Sequence, residues 1–125
     1  MLTQLDMISI RVGHWKAAVE WYRDVLGLTP VGLHDDPWCL MTFPRGTTAI
    51  ALDGTNPVEA GPGNCIPNIR VEDLPGTLAQ LASRGVQIER ALVDDADEGY
   101  RIATIRDLEG NRLNLYDYAP ETRDP

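Results

Sequence analysis

The sequence predicts an α+β protein made of two βαβββ modules. The modules are expected to be related by a pseudo-twofold and to form a curved mixed sheet with a concave cleft. Three observations carry this. The strand motif Ile10-Arg11-Val12 is answered 59 residues later by Ile69-Arg70-Val71. The helix-stopping Gly27 is answered 58 residues later by Gly85. After each first strand, apolar residues recur at helical spacing and short strand-like runs follow. With 125 residues the chain is long enough for one domain and one core. That domain, residues 1–125, divides into modules 1–58 and 65–119, joined by linker 59–64, where Gly61-Pro62-Gly63 breaks regular structure.

In chain order, Leu5–Val12 alternates, with Leu5, Met7 and Ser9 on one side and Ile8, Ile10 and Val12 on the other, as a strand does. Trp15, Ala18, Val19, Tyr22 and Leu26 then form one helical stripe, and Gly27 ends it because glycine reaches the left-handed conformation cheaply. Strands follow at Thr29–Leu33, Trp38–Phe43 and Thr47–Leu52, with Pro44-Arg45-Gly46 as the last turn. The second module repeats the plan. Ile66–Val71 is its first strand, and Leu74, Leu78, Leu81 and Ala82 form its helical stripe. Gln87–Leu92, Arg101–Arg106 and Arg112–Tyr118 are its remaining strands, with Asp107–Asn111 as the tight turn before the last. The acidic run Asp94–Glu98 reads as a solvated loop.

The net charge of −8 argues against nucleic acid, whose binding needs Lys and Arg against phosphates, and is compatible with a cationic ligand. No apolar run is long enough to cross a bilayer, and the first ten residues lack the pattern of a signal peptide, so a cytoplasmic protein is expected. Cys39 and Cys65 form no CxxC pair and read as two buried reduced thiols.

Three segments carry a family resemblance over nearly the whole chain. Lys16–Leu28, KAAVEWYRDVLGL, looks like the A-x-x-F-Y-x-x-x-L-G helix of the vicinal oxygen chelate superfamily, the glyoxalase, bleomycin-resistance and extradiol-dioxygenase group. Val71-Glu72-Asp73-Leu74 resembles its V-x-D-L helix entry, and Asp107–Leu113, DLEGNRL, is similar to its D-P-x-G-N-x-[IL] turn. The resemblance implies paired βαβββ modules and a homodimer. It does not imply one chemistry, since this fold hosts enzymes and drug-binding proteins alike. Enzymes of the family hold a divalent metal through a His on the first strand and a Glu or related ligand on the last strand of each module. Carried over, those positions are Met7, Ile66, Ala51 and Asn114, none of them a His or a carboxylate. No metal and no other cofactor is therefore expected.

Alternation from these positions brings Ser9, Ala49, Asp53, Asn68, Arg112 and Tyr116 to the same cleft, with Trp38 as a stacking surface beside Tyr116. Such a lining suits a small organic molecule, planar or cationic, and the two amides need hydrogen-bond partners that a ligand or water could supply. His34, beside Asp35 and Asp36, together with Asp53 and Tyr116, are the weak catalytic candidates. His14 reads as a capping or surface residue at the helix entry. The leading functional expectation is metal-independent binding of a small molecule, such as antibiotic or metabolite sequestration. The alternatives are a lyase, isomerase or dioxygenase-type enzyme, metal-free or with displaced ligands, and a scaffold whose cleft has collapsed.

Overall fold

The computed structural model describes residues 1–32, 37–57, 60–95 and 97–118, apart from the Asp95 side chain. The chain divides into two compact units, Met1–Gly61 and Pro62–Pro125. The first contains β1 (Met7–Arg11), α1 (Trp15–Asp24), β2 (Thr29–Val31), β3 (Trp38–Thr42) and β4 (Ala49–Asp53). Its four-stranded sheet runs β1-β4-β3-β2, with β1 parallel to β4 and the other neighbours antiparallel. The second contains β5 (Asn68–Arg70), α2 (Leu74–Ser83), β6 (Ile88–Asp95), β7 (Tyr100–Arg106) and β8 (Arg112–Tyr118). It repeats the arrangement as β5-β8-β7-β6, with β5 parallel to β8. Each unit is thus βαβββ, one helix on one mixed sheet.

Alternation decides what each helix covers. In the first unit α1 buries Ala18, Val19 and Tyr22, and the sheet residues Cys39, Met41, Ile50 and Leu52 are buried with them. The Trp15 indole N–H donates to the Leu52 carbonyl at 3.2 Å and ties the start of α1 to β4. In the second unit Leu74, Leu78 and Leu81 of α2 are buried, as are Ala103, Ile105, Leu113 and Leu115 on the sheet. Full burial of a side chain of this size stabilises by about 1.5–3 kcal/mol. Both helices end before a glycine with positive φ, 76° at Gly27 and 81° at Gly85. The strand that follows each helix turns back from there.

One buried charge is built into the second unit. Asp117, 1% exposed, accepts from the Leu74 backbone N–H at 2.8 Å and from the Arg101 guanidinium at 2.8 and 2.6 Å. It therefore satisfies an orphan donor of the first turn of α2 and pairs its own charge at the same time. The turn after β7 is closed by Asp107, whose Oδ1 accepts from the backbone N–H of Glu109 and Asn111 and whose Oδ2 accepts from the Asn111 amide.

Several expectations need correction. The first strand of the second module begins at Asn68 rather than Ile66, because Pro67 has no N–H to give a ladder. Asp94 and Asp95 are not loop but the end of β6, where Asp94 lies opposite Arg101 in the register, a favourable cross-strand charge pair. Cys65 is exposed, and only Cys39 is a buried thiol; both are free. Burial pushes the Cys39 thiol pKa up. Of the two readings of His14, surface or capping, the side chain is exposed at the N-cap position of α1 and makes no capping hydrogen bond.

Candidate functional site

The residues expected to line the cleft divide between the two units. Met7, Ser9, Trp38, Ala49, Ala51 and Asp53 lie in the first, and Ile66, Asn68, Arg112, Asn114 and Tyr116 in the second. In the first sheet the register pairs Met7 with Ala49, Ser9 with Ala51, and Asp53 with both Arg11 and Trp38. Paired residues project to the same side, so these seven share the face opposite Ile50 and Leu52. Ala49 and Ala51 are buried, Trp38 is half-buried, and Met7 and Ser9 are exposed.

Asp53 is already committed. Its Oδ1 accepts from both the backbone N–H and the hydroxyl of Thr55. These bonds hold the Asp53 carboxyl below its usual range, with Arg11 adding to the effect. A carboxylate so engaged is a poor proton acceptor at neutral pH. His34 lies outside the described residues.

The second sheet carries the more developed site. Asn68 pairs with Asn114 across the parallel β5–β8 ladder, and Asn114 pairs with Thr104 across β8–β7. The three side chains form one hydrogen-bonded row. The Thr104 hydroxyl donates to Asn114 Oδ1 at 2.7 Å, the Asn114 amide donates to Asn68 Oδ1 at 3.2 Å, and the Asn68 amide donates to the Ile66 carbonyl at 3.2 Å. The amides were expected to be buried and short of partners. Instead Asn68 is exposed, Asn114 is half-buried, and their bonds come from each other, from Thr104 and from the Ile66 carbonyl. Their carbonyl oxygens point inward along the row, which leaves N–H capacity over.

Beside this row lies a groove of about 440 Å³ lined by Ile66, Glu89, Arg90, Thr104, Arg112 and Asn114. Glu89 bridges two arginines, accepting from Arg106 at one oxygen and from Arg112 Nε at 2.8 Å at the other. The Arg112 bond, then that of Arg106, holds the Glu89 carboxyl below its usual range. Further along the same face, the Arg70 guanidinium sits 4.7 Å from the Tyr118 ring centroid, and Tyr118 meets Tyr116 edge-on at 6.1 Å. Tyr116 is on this face but does not line the groove.

Sequence reasoning brought Ile66, Arg112 and Asn114 to this place and missed Glu89, Arg90 and Thr104. Thr104 could have been found. The tight turn at Asp107–Asn111 sets Arg106 opposite Arg112, and counting two residues back on each strand sets Thr104 opposite Asn114. Glu89 and Arg90 could not, because irregular pairing around Arg90 shifts the register of β6.

The residues at the four carried-over positions are poor metal ligands. Met7 offers an exposed thioether, Ala51 a buried methyl, Ile66 an alkyl chain, and Asn114 an amide whose oxygen already takes the Thr104 hydroxyl. Among the described residues no group of three or more His, Cys, Asp or Glu side chains gathers. The donor set does not fit a divalent cation, which wants several hard or borderline ligands.

Comparison with known proteins places these features in context. A sequence model of the glyoxalase/bleomycin resistance protein/dioxygenase superfamily matches residues 4–115. The uncharacterized protein YraH of Bacillus subtilis is 26% identical, covering 90% of this chain and 97% of its own. Among solved structures, the antibiotic-binding protein TnmS3 from Streptomyces sp. CB03234 superposes with a TM-score of 0.79 at 18% identity, over 94% of this chain and 98% of its own. A lactoylglutathione lyase from Agrobacterium tumefaciens superposes with a TM-score of 0.74 at 15% identity, over 93% and 94%. At these identities the two structures establish the shared fold and nothing finer.

Proposed function

Since the chain belongs to the glyoxalase/bleomycin resistance protein/dioxygenase superfamily, we propose that it is a small-molecule-binding protein of that family and works without a metal ion. The observation that carries the reading is at Asn114. A position where the family's enzymes place a metal ligand is here an amide in a hydrogen-bonded row, at the wall of a groove lined by both polar and apolar groups. Such a lining orients an organic molecule through a few placed donors and an apolar contact. The antibiotic-binding function of TnmS3, on the same fold, makes sequestration of an antibiotic or metabolite the specific form of the proposal. Asp53, one of the acid–base candidates, is engaged by Thr55, which holds its carboxyl below the usual range and makes it a weaker base.

The test is a thermal-shift screen of the full chain against antibiotics and small organic metabolites. A ligand that binds only the folded state at one hundred times its Kd adds about 2.7 kcal/mol of stability. The expected result is a hit whose stabilisation is reduced by Asn114→Ala. A hit that is instead converted to product would overturn the binding-only reading, as would a screen in which no compound stabilises the protein.

A further inference from the structure

Resting on that reading, we infer that the groove of the second unit takes the anionic head of a small organic acid, a carboxylate or a phosphate monoester, with Ile66 against its apolar body. The chain as a whole carries a charge of −8, which is compatible with a cationic ligand. The groove is locally the reverse. Among the described residues its one acidic lining residue is Glu89, and each oxygen of that carboxylate accepts a bond from an arginine, Arg106 or Arg112. One negative charge is thus shared between two guanidinium groups, and Arg90 adds a third positive charge.

The hydrogen-bond count runs the same way. Arg112 uses only Nε toward Glu89, so its terminal amines retain their donors. The Arg90 side chain makes no hydrogen bond or ion pair among the described residues. Asn114 and Asn68 each spend one amide N–H along the row and keep another. On the acceptor side, each of the Glu89 oxygens, Asn114 Oδ1 and Asn68 Oδ1 already accepts one bond. The groove therefore offers spare donors under excess positive charge, and its one lining carboxylate among the described residues is already engaged by two arginines. Planar guanidinium forks match the oxygens of a carboxylate or phosphate, and a cation placed there would meet repulsion and find little to bind. The Glu89 bridge contributes indirectly, because it holds the Arg112 side chain at the groove wall with its terminal amines uncommitted.

Four probes that share a phenyl ring and differ in their head test this: benzoate, phenyl phosphate, neutral benzamide and cationic benzamidine. Each is titrated into the isotope-labelled full chain, and groove resonances are followed by NMR. The expected result is that at least one anion shifts the side-chain amides of Asn114 and Asn68, with affinity that falls as salt is raised. The two anions between them decide which head is preferred. Arg90→Gln should weaken that anion ten-fold or more, and Arg90→Lys less. Arg90 is exposed and its side chain makes no hydrogen bond among the described residues, so both variants should fold, which an unchanged Tm checks. If benzamidine binds the groove as tightly as either anion, or Arg90→Gln leaves anion affinity unchanged, the anionic assignment falls while small-molecule binding stands. If no probe shifts the groove residues, the assignment also falls, and the compound screen alone decides the broader reading.

Discussion

Asn114 donates its side-chain amide to Oδ1 of Asn68 at 3.2 Å, across the one parallel strand pair of the second unit. The same Asn114 accepts the Thr104 hydroxyl at 2.7 Å, so one side chain joins three strands. Asn114→Ala removes both bonds at once and leaves the largely buried Thr104 hydroxyl without its acceptor. The expected loss is about 1–2 kcal/mol of stability, because water can reach the Asn68 end but less easily the Thr104 end. Chemical denaturation of Asn114→Ala, Thr104→Val and the double variant checks it. The double variant should lose less than the sum of the two singles, since they remove one shared bond.

Asp117 should be the most costly side chain to change in the second unit. It is buried, caps the Leu74 N–H and carries the Arg101 guanidinium. Removing one partner of a buried pair costs about 3–5 kcal/mol because the other is left uncompensated. Arg101 is 17% exposed at its side chain and recovers some hydration, so Asp117→Ala is expected near the lower end of that range. Asp117→Asn should cost less, since its amide oxygen can still accept from Leu74. Equal losses for the two variants in thermal melts would show that cavity formation, not charge, dominates.

The Glu89 bridge makes a pH-dependent contribution. The carboxyl is held below its ordinary value of 4.5, first by its bond to Arg112 and then by Arg106. A group with a depressed folded-state pKa stabilises the fold above its unfolded value and loses that contribution as pH falls through the folded value. The difference in Tm between the parent chain and Glu89→Gln should therefore be constant near neutrality and shrink as pH falls below 4.5. High salt should reduce it at every pH, since the three side chains are partly exposed. A difference that stays constant into strong acid would mean that the bridge contributes packing rather than charge.

Metal addition should change little. With Met7, Ala51, Ile66 and Asn114 at the four carried-over positions, Zn, Ni, Mn and Fe should neither co-purify at one per chain nor raise Tm. Elemental analysis finding one tightly bound metal per chain would contradict this and direct attention to His34.

A homodimer is expected in solution. Each sheet ends in outer strands, β1 and β2 in the first and β5 and β6 in the second. Large apolar side chains on or beside these strands are exposed, with Leu5 62%, Val31 47% and Val93 51% accessible. Unpaired strand edges and exposed apolar groups favour association. Sedimentation velocity at micromolar concentration should give twice the chain mass; a monomer there would count against it.

The repeat, the helices and most strands were legible in the sequence because their causes are local. Alternation, helical spacing and the glycines at 27 and 85 act through neighbouring residues. What only the tertiary structure decided depends on contacts between residues distant in the chain. That Asp117 caps α2, that Glu89 is divided between two arginines, and that Asn68 and Asn114 satisfy each other all follow from the strand order β5-β8-β7-β6. A hydrophobic pattern specifies which face of a strand turns inward, but polar partners are chosen by which strands become neighbours and in what register. Irregular pairing in β6 placed Arg90 at the groove, and no periodic rule reads that from sequence.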